Sequence, residues 1–110
     1  MGSVCSAKLP KMTVTKDTIK QLIDSDKVVI FSKSGCPFCK MAKEKFDLLK
    51  QAYKAIEIDE KDDCDQYQDI LEEITGARTV PRVFIKGEFV GGGTDIKKLY
   101  ESGDLAKKLE

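Results

Sequence analysis

The sequence predicts an α/β domain, a mixed sheet of four strands flanked by helices, and three observations carry that prediction. Strand-like apolar runs alternate with helix-like apolar stripes. The alternation reads strand, helix, strand, helix over the middle of the chain, and it closes on two short strands flanking Lys86-Gly87-Glu88, a hairpin signal, followed by a last helix. Strands joined through a long helix run parallel by a right-handed crossover, whereas a hairpin is antiparallel, so the sheet is mixed.

Residues 1–12 mix Lys, Ser and Pro without periodicity and read as a flexible tail, which leaves a single domain over 13–110. Ile19, Leu22 and Ile23 recur at helical spacing within 15–25. Val28-Val29-Ile30-Phe31 is a continuous apolar run, so 27–32 reads as a buried strand. Met41, Ala42, Phe46, Leu49, Ala52 and Tyr53 mark one stripe of a long helix over 37–53. A short second strand follows at 55–59. Tyr67, Ile70, Leu71 and Ile74 place a third helix that ends at Gly76, the residue type favoured for a left-handed cap. Cys64 is in phase with that stripe and reads as a packed thiol rather than a second redox centre. Residues 82–85 and 89–90 form the hairpin strands, and Ile96, Leu99 and Tyr100 face inward on a final helix from about Asp95.

At 110 residues, with 41% hydrophobic and 35% charged, the chain builds one core. A net charge of +0 lacks the basic footprint of a nucleic-acid binder. No stretch reaches membrane-spanning length, and no signal-peptide core precedes the domain. Four cysteines within a full apolar pattern do not read as a secreted disulfide scaffold, so a cytoplasmic location is expected.

The chemistry concentrates at Cys36-Pro37-Phe38-Cys39, where the first strand hands over to the long helix. Two cysteines at this spacing close into a disulfide within one turn, and the helix N-terminus favours negative charge on the first sulfur. Cys36, at the helix mouth, is expected to be an exposed, acidic nucleophile. Cys39, at the edge of the buried stripe, is expected to be less acidic and to resolve. A zinc site would need histidine or a second cysteine pair, and the chain has no histidine, while Cys5 and Cys64 stand singly. The lack of imidazole also removes Cys-His nucleophilic catalysis. Thiol–disulfide exchange remains.

Three segments then point the same way: Lys33-Ser34-Gly35-Cys36-Pro37-Phe38-Cys39, Thr79-Val80-Pro81, and Gly91-Gly92-Gly93-Thr94-Asp95. Together they resemble the motifs of glutaredoxins of the dithiol class, and the resemblance extends over 13–110. It implies a thioredoxin-like fold and a glutathione-dependent oxidoreductase, with glutathione as reductant and no metal. Such an enzyme reduces protein–glutathione mixed disulfides and protein disulfides through Cys36, with Cys39 as the resolving thiol. Thioredoxin itself fits less well, because its Cys-Gly-Pro-Cys site usually has a tryptophan beside it and this chain has none. Phe38 departs from the commoner tyrosine, and Gly93 from the serine or cysteine often found there.

By the same resemblance, Lys33 and Gln68 hold the glycine carboxylate of glutathione, the alternative for each being an ordinary solvated polar residue, and Phe38 gives an aromatic contact at the groove rim. Thr79 and Val80 present backbone to the extended ligand, as one more strand would. Pro81 follows a cis bond; from the sequence alone, a trans strand-entry proline is the alternative. Gly92 permits close backbone approach. The amides of Thr94 and Asp95 take the γ-glutamyl carboxylate and the Asp95 side chain its ammonium, unless either residue simply caps the helix. Arg78 either adds positive field to the groove or faces solvent. A nucleotide fingerprint fails here, since Ile96 stands where the third glycine of G-x-G-x-x-G belongs.

The expected partners are glutathione and glutathionylated or disulfide-containing proteins, met by a monomer that binds no nucleic acid. Two alternatives come from other classes. An iron–sulfur carrier would share a cluster between two Cys36 thiolates and bound glutathione, against which Pro37 argues. Met1-Gly2-Ser3-Val4-Cys5-Ser6 also fits M-G-x-x-x-[ST], so acylation at Gly2 and Cys5, helped by Lys8 and Lys11, would give weak membrane association.

Overall fold

The computed structural model describes residues 14–110. The expectations for residues 1–13, including the tail, the domain start, Gly2 and Cys5, lie outside them. Thr15 caps α1 (Lys16–Ile23) by accepting the Thr18 amide at 3.2 Å. Then follow β1 (Val28–Ser32), α2 (Pro37–Leu48), β2 (Lys54–Glu57), a 3-10 turn (Ile58–Glu60) and α3 (Cys64–Thr75). The chain closes with β3 (Arg82–Ile85), β4 (Glu88–Gly91), α4 (Gly93–Ser102) and α5 (Asp104–Lys108).

The four strands form one mixed sheet in the order β2-β1-β3-β4. β1 pairs parallel with β2 and antiparallel with β3, and β3 pairs antiparallel with β4. All five residues of β1 are buried, as expected of a strand covered on both faces. Its alternation sorts them. Val29 and Phe31 join Ile19, Ile23, Tyr67 and Leu71 beneath α1 and α3, whereas Val28 and Ile30 join Ala42, Phe46, Ile96 and Leu105 beneath α2, α4 and α5. Cys64 is fully buried in the first cluster; it is disulfide-bonded there, not the packed thiol expected.

The helix expected over 37–53 is shorter. Lys50 adopts φ +58, its amide bonds Asp47 O at 2.9 Å and that of Gln51 bonds Phe46 O at 2.9 Å. This paired closure is a Schellman stop with lysine where glycine is usual. Tyr53 still reaches Phe46, ring centroids 6.2 Å apart, but from the connecting loop. The strand expected over 55–59 also shifts, ending at Glu57 where Ile58 begins the 3-10 turn. α4 begins two residues before Asp95, and α5 follows it after a left-handed Gly103. Gly76 is the left-handed cap expected, at φ +91.

Candidate active site

β1 carries the chain rigidly to the Lys33-Ser34-Gly35 turn, after which extended backbone at Cys36 (φ −89, ψ 117) makes that residue the N-cap of α2. Pro37 then starts the helix, where its missing N–H costs nothing. Cys36 Sγ accepts the Cys39 amide at 3.4 Å and lies 4.0 Å from the Val80 carbonyl. With no acidic residue in the first turn of α2, the helix end and that amide are free to stabilise negative charge on the sulfur. Cys36 is half-buried rather than fully exposed, and Cys39 is 1% exposed; both are free cysteines. Burial, with a contribution from the Cys36 hydrogen bond, pushes the Cys39 thiol up to about 11, against an opposing pull from the Lys33 amide and the Ser32 hydroxyl. Two thiols three residues apart thus differ sharply in access, one facing a groove and one held neutral beneath it.

The opposite wall of the groove is the loop entering β3, where the Val80-Pro81 peptide is cis. Arg82 holds this wall. Only 8% exposed, its guanidinium bonds Pro81 O (3.2 Å), Thr75 Oγ1 (3.3 Å) and Thr79 Oγ1 (3.2 Å), and it stacks 5.0 Å from the Phe89 ring centroid. The third wall is the start of α4. Asp95 Oδ2 accepts the Gly92 amide at 3.0 Å, the one half of a capping box that a glycine N-cap allows. A Cβ on Gly93 would fall 2.9 Å from Phe38 Cβ, so this glycine lets α4 press on the first turn of α2. Serine or cysteine at 93 would require this contact to shift.

A family model for glutaredoxin matches residues 28–90. The chain belongs to the glutaredoxin family. It is 52% identical to glutaredoxin-C4 of Arabidopsis thaliana over 93 residues, covering 84% of this chain and 69% of the relative. It is 42% identical to mouse glutaredoxin-2, mitochondrial, over 106 residues, covering 96% and 68%. Among solved structures, the buckwheat glutaredoxin–glutathione complex matches with a TM-score of 0.82 at 38% identity, covering 86% of each chain. Glutaredoxins are glutathione-dependent thiol oxidoreductases, and the thioredoxin-like fold expected from the motifs is the fold observed.

In this glutaredoxin the fold brings Cys36, Cys39, Phe38, Val80, Pro81 and Gly92 to one end of the sheet. Phe38 is 57% exposed at the rim. Thr94 and Asp95 are exposed at the head of α4, and since Asp95 also makes the cap, the capping role considered for it is realised. Lys33 flanks the nucleophile and has no ion-pair partner among the described residues. Gln68 Nε2 donates to Arg78 O at 3.1 Å, steadying the loop before Val80. Arg78 turns instead to α3, where it pairs with Asp65 (3.8 Å), Asp69 and Glu72 (3.7 Å).

Two anchors escaped the sequence reading: Arg82, and a clasp between Ser34 and Asp59. Asp59 Oδ1 accepts the Ser34 amide at 3.0 Å and its other oxygen takes the Ser34 hydroxyl at 2.5 Å, so the 3-10 turn holds the loop before Cys36. The Ser34 hydroxyl, chief among the causes, holds the Asp59 carboxyl below its usual range. A depressed acid stabilises the fold above its unfolded pKa and loses that contribution as pH falls through the folded one. Ser34→Ala is therefore expected to raise the Asp59 pKa. An NMR titration of the carboxylate checks it, and an unmoved midpoint would refute the clasp.

Proposed function

We propose that the enzyme reduces protein–glutathione mixed disulfides and protein disulfides, with glutathione as electron donor. The observation that supports this best is the Cys36 sulfur at the N-cap of α2, facing the Val80 carbonyl with the buried Cys39 three residues on. The Cys36 thiolate attacks the glutathione sulfur of a mixed disulfide and releases the protein thiol. A second glutathione thiolate then attacks the Cys36–glutathione bond, giving glutathione disulfide and restoring Cys36. On a protein disulfide, Cys39 attacks the Cys36–substrate bond instead, and glutathione reduces the Cys36–Cys39 disulfide that results.

In this reading Lys33 and Gln68 meet the glycine carboxylate, Phe38 covers the ligand, and Thr79 and Val80 pair with its backbone beside Pro81. The close approach at Gly92 and the amides of Thr94 and Asp95 receive the γ-glutamyl carboxylate, while the Asp95 carboxylate receives the ammonium. The enzyme works as a cytoplasmic monomer that carries electrons between glutathione and protein thiols. Acylation at Gly2 with weak membrane association is the alternative, and fractionation of the tagged chain distinguishes the two.

The test is turnover of a glutathione mixed disulfide with glutathione as sole reductant. Lys33→Ala and Asp95→Asn are each expected to lower the second-order rate constant roughly tenfold or more, because a charge-assisted contact is worth about 1.5–3 kcal/mol and each 1.4 kcal/mol is about a decade. The Asp95→Asn variant keeps an acceptor for the Gly92 amide, which separates ligand contact from capping. Unchanged kinetics in both variants would remove the glutathione site as drawn.

A further inference from the structure

The sulfur that must act second is the one least ready to. Cys39 is buried and held neutral, yet reduction of a protein disulfide requires it to attack as a thiolate. Lys43 lies one turn further along α2, at the i+4 position that shares a face with Cys39. Its ammonium bonds Glu57 Oε2 on β2 at 2.7 Å, and Glu57 Oε1 accepts the hydroxyl of Ser32 at 2.8 Å. Ser32 is fully buried at the end of β1, in register opposite Glu57. The side chains of Lys43 and Glu57 are only 24% and 22% exposed, so solvent screens this cation less than a surface lysine. Burial alone would lower the Lys43 pKa, but the contact with Glu57 overcomes it and the group stays charged.

We propose that Ser32, Glu57 and Lys43 are positioning residues for the resolving step, holding an ammonium one helical turn from Cys39 so that its thiolate forms when Cys36 carries a substrate sulfur. Cys39 gives its proton to water, and its electron pair forms the Cys39–Cys36 bond. The Cys36–substrate bond breaks, and the substrate leaves as a thiolate that regains a proton. One disulfide replaces another, so no further oxidant or reductant enters. The route through Cys36 alone never ionises Cys39 and is indifferent to the trio. Of the other charged groups around this end of α2, Lys33 and the exposed Lys40 make no ion pair among the described residues, and three more are engaged elsewhere. Asp59 binds Ser34, Asp95 binds the Gly92 amide, and Arg82 on β3 binds Thr75 and Thr79. Tyr53, in the loop before β2, is raised by burial and stays neutral.

The inference rests on Cys39 as resolving thiol, and the experiment separates the two claims. Wild type, Lys43→Met, Lys43→Arg and Glu57→Gln are assayed in the full chain on a glutathione mixed disulfide and on a protein disulfide, across pH. Lys43→Met is expected to slow protein-disulfide reduction about tenfold and to move the pH midpoint of that step up by about one unit, since a unit of pKa is a tenfold change in thiolate. Turnover of the mixed disulfide is expected to stay within about twofold of wild type. Lys43→Arg restores the first reaction, and Glu57→Gln, which frees the lysine without removing it, shows the same selective loss in smaller degree. Equal loss on both substrates, or no loss on either, would overturn the proposal. Failure of wild type on the mixed disulfide would instead overturn the function itself.

Discussion

Cys36→Ser is expected to reduce turnover of both mixed disulfides and protein disulfides to the uncatalysed background. A serine hydroxyl forms no disulfide, and among the described residues the other free cysteine, Cys39, is buried out of reach of a bulky substrate. Cys39→Ser is expected to keep reduction of glutathione mixed disulfides, which needs a single sulfur, and to lose reduction of protein disulfides, which needs two. Alkylation followed by mass spectrometry gives a second view. Label is expected on Cys36 well before Cys39, whose thiol is both 1% exposed and pushed up to about 11. Equal loss of mixed-disulfide turnover in both variants, or first labelling at Cys39, would reverse the roles.

Gly91→Ala is expected to be the most damaging change that leaves the chemistry untouched. Gly91 sits at φ +140, and a Cβ there would fall 2.4 Å from Asp95 Cβ and 2.7 Å from its Oδ2. Backbone strain and overpacking each cost about 1–3 kcal/mol, and relief by moving Asp95 would break its bond to the Gly92 amide, worth about 1 kcal/mol as a cap. Against a total stability of about 5–15 kcal/mol this is severe. The melting temperature is expected to drop on the order of 10 °C or more, at about 4–8 °C per kcal/mol, with a raised KM for glutathione. Gly103→Ala is the control. Its φ is +85 but nothing lies within 4 Å of the added Cβ, so it bears strain without collision. Similar melting of the two variants would mean that the contact with Asp95 is unimportant.

The elements that could be read from the sequence are those whose cause is local. β1 announced itself by four successive apolar residues, α3 by its stripe and Gly76, and the hairpin by Lys86-Gly87-Glu88, of which Glu88 proves to begin β4 while Lys86 and Gly87 turn at positive φ. The end of α2 was hidden because Lys50 takes a left-handed conformation usually marked by glycine, while Leu49 and Tyr53 continue the helical spacing from outside the helix. α4 starts on Gly93, a poor helix former that packs closely on Phe38, and α5 is too short to show a period. The reacting cysteines were legible because their motif is contiguous. Their supports were not: Ser34 meets Asp59 and Ser32 meets Glu57 across 25 positions in each case, and nothing near Arg82 marks it as an interior residue.

Antiparallel pairing of β1 with β3 joins the two halves of the molecule, since Cys36 and the Val80 carbonyl it faces are 44 residues apart. The helix that bears the sulfur is built from nearby residues, whereas the groove over it must wait for the later half of the chain to close back. Contacts between distant residues form slowly because loop closure precedes any gain from them. Until β3 closes on β1, the cysteine pair has no facing wall to select what it meets. Recovered turnover on refolding therefore requires that β3 has already closed on β1 and brought Val80 to the sulfur.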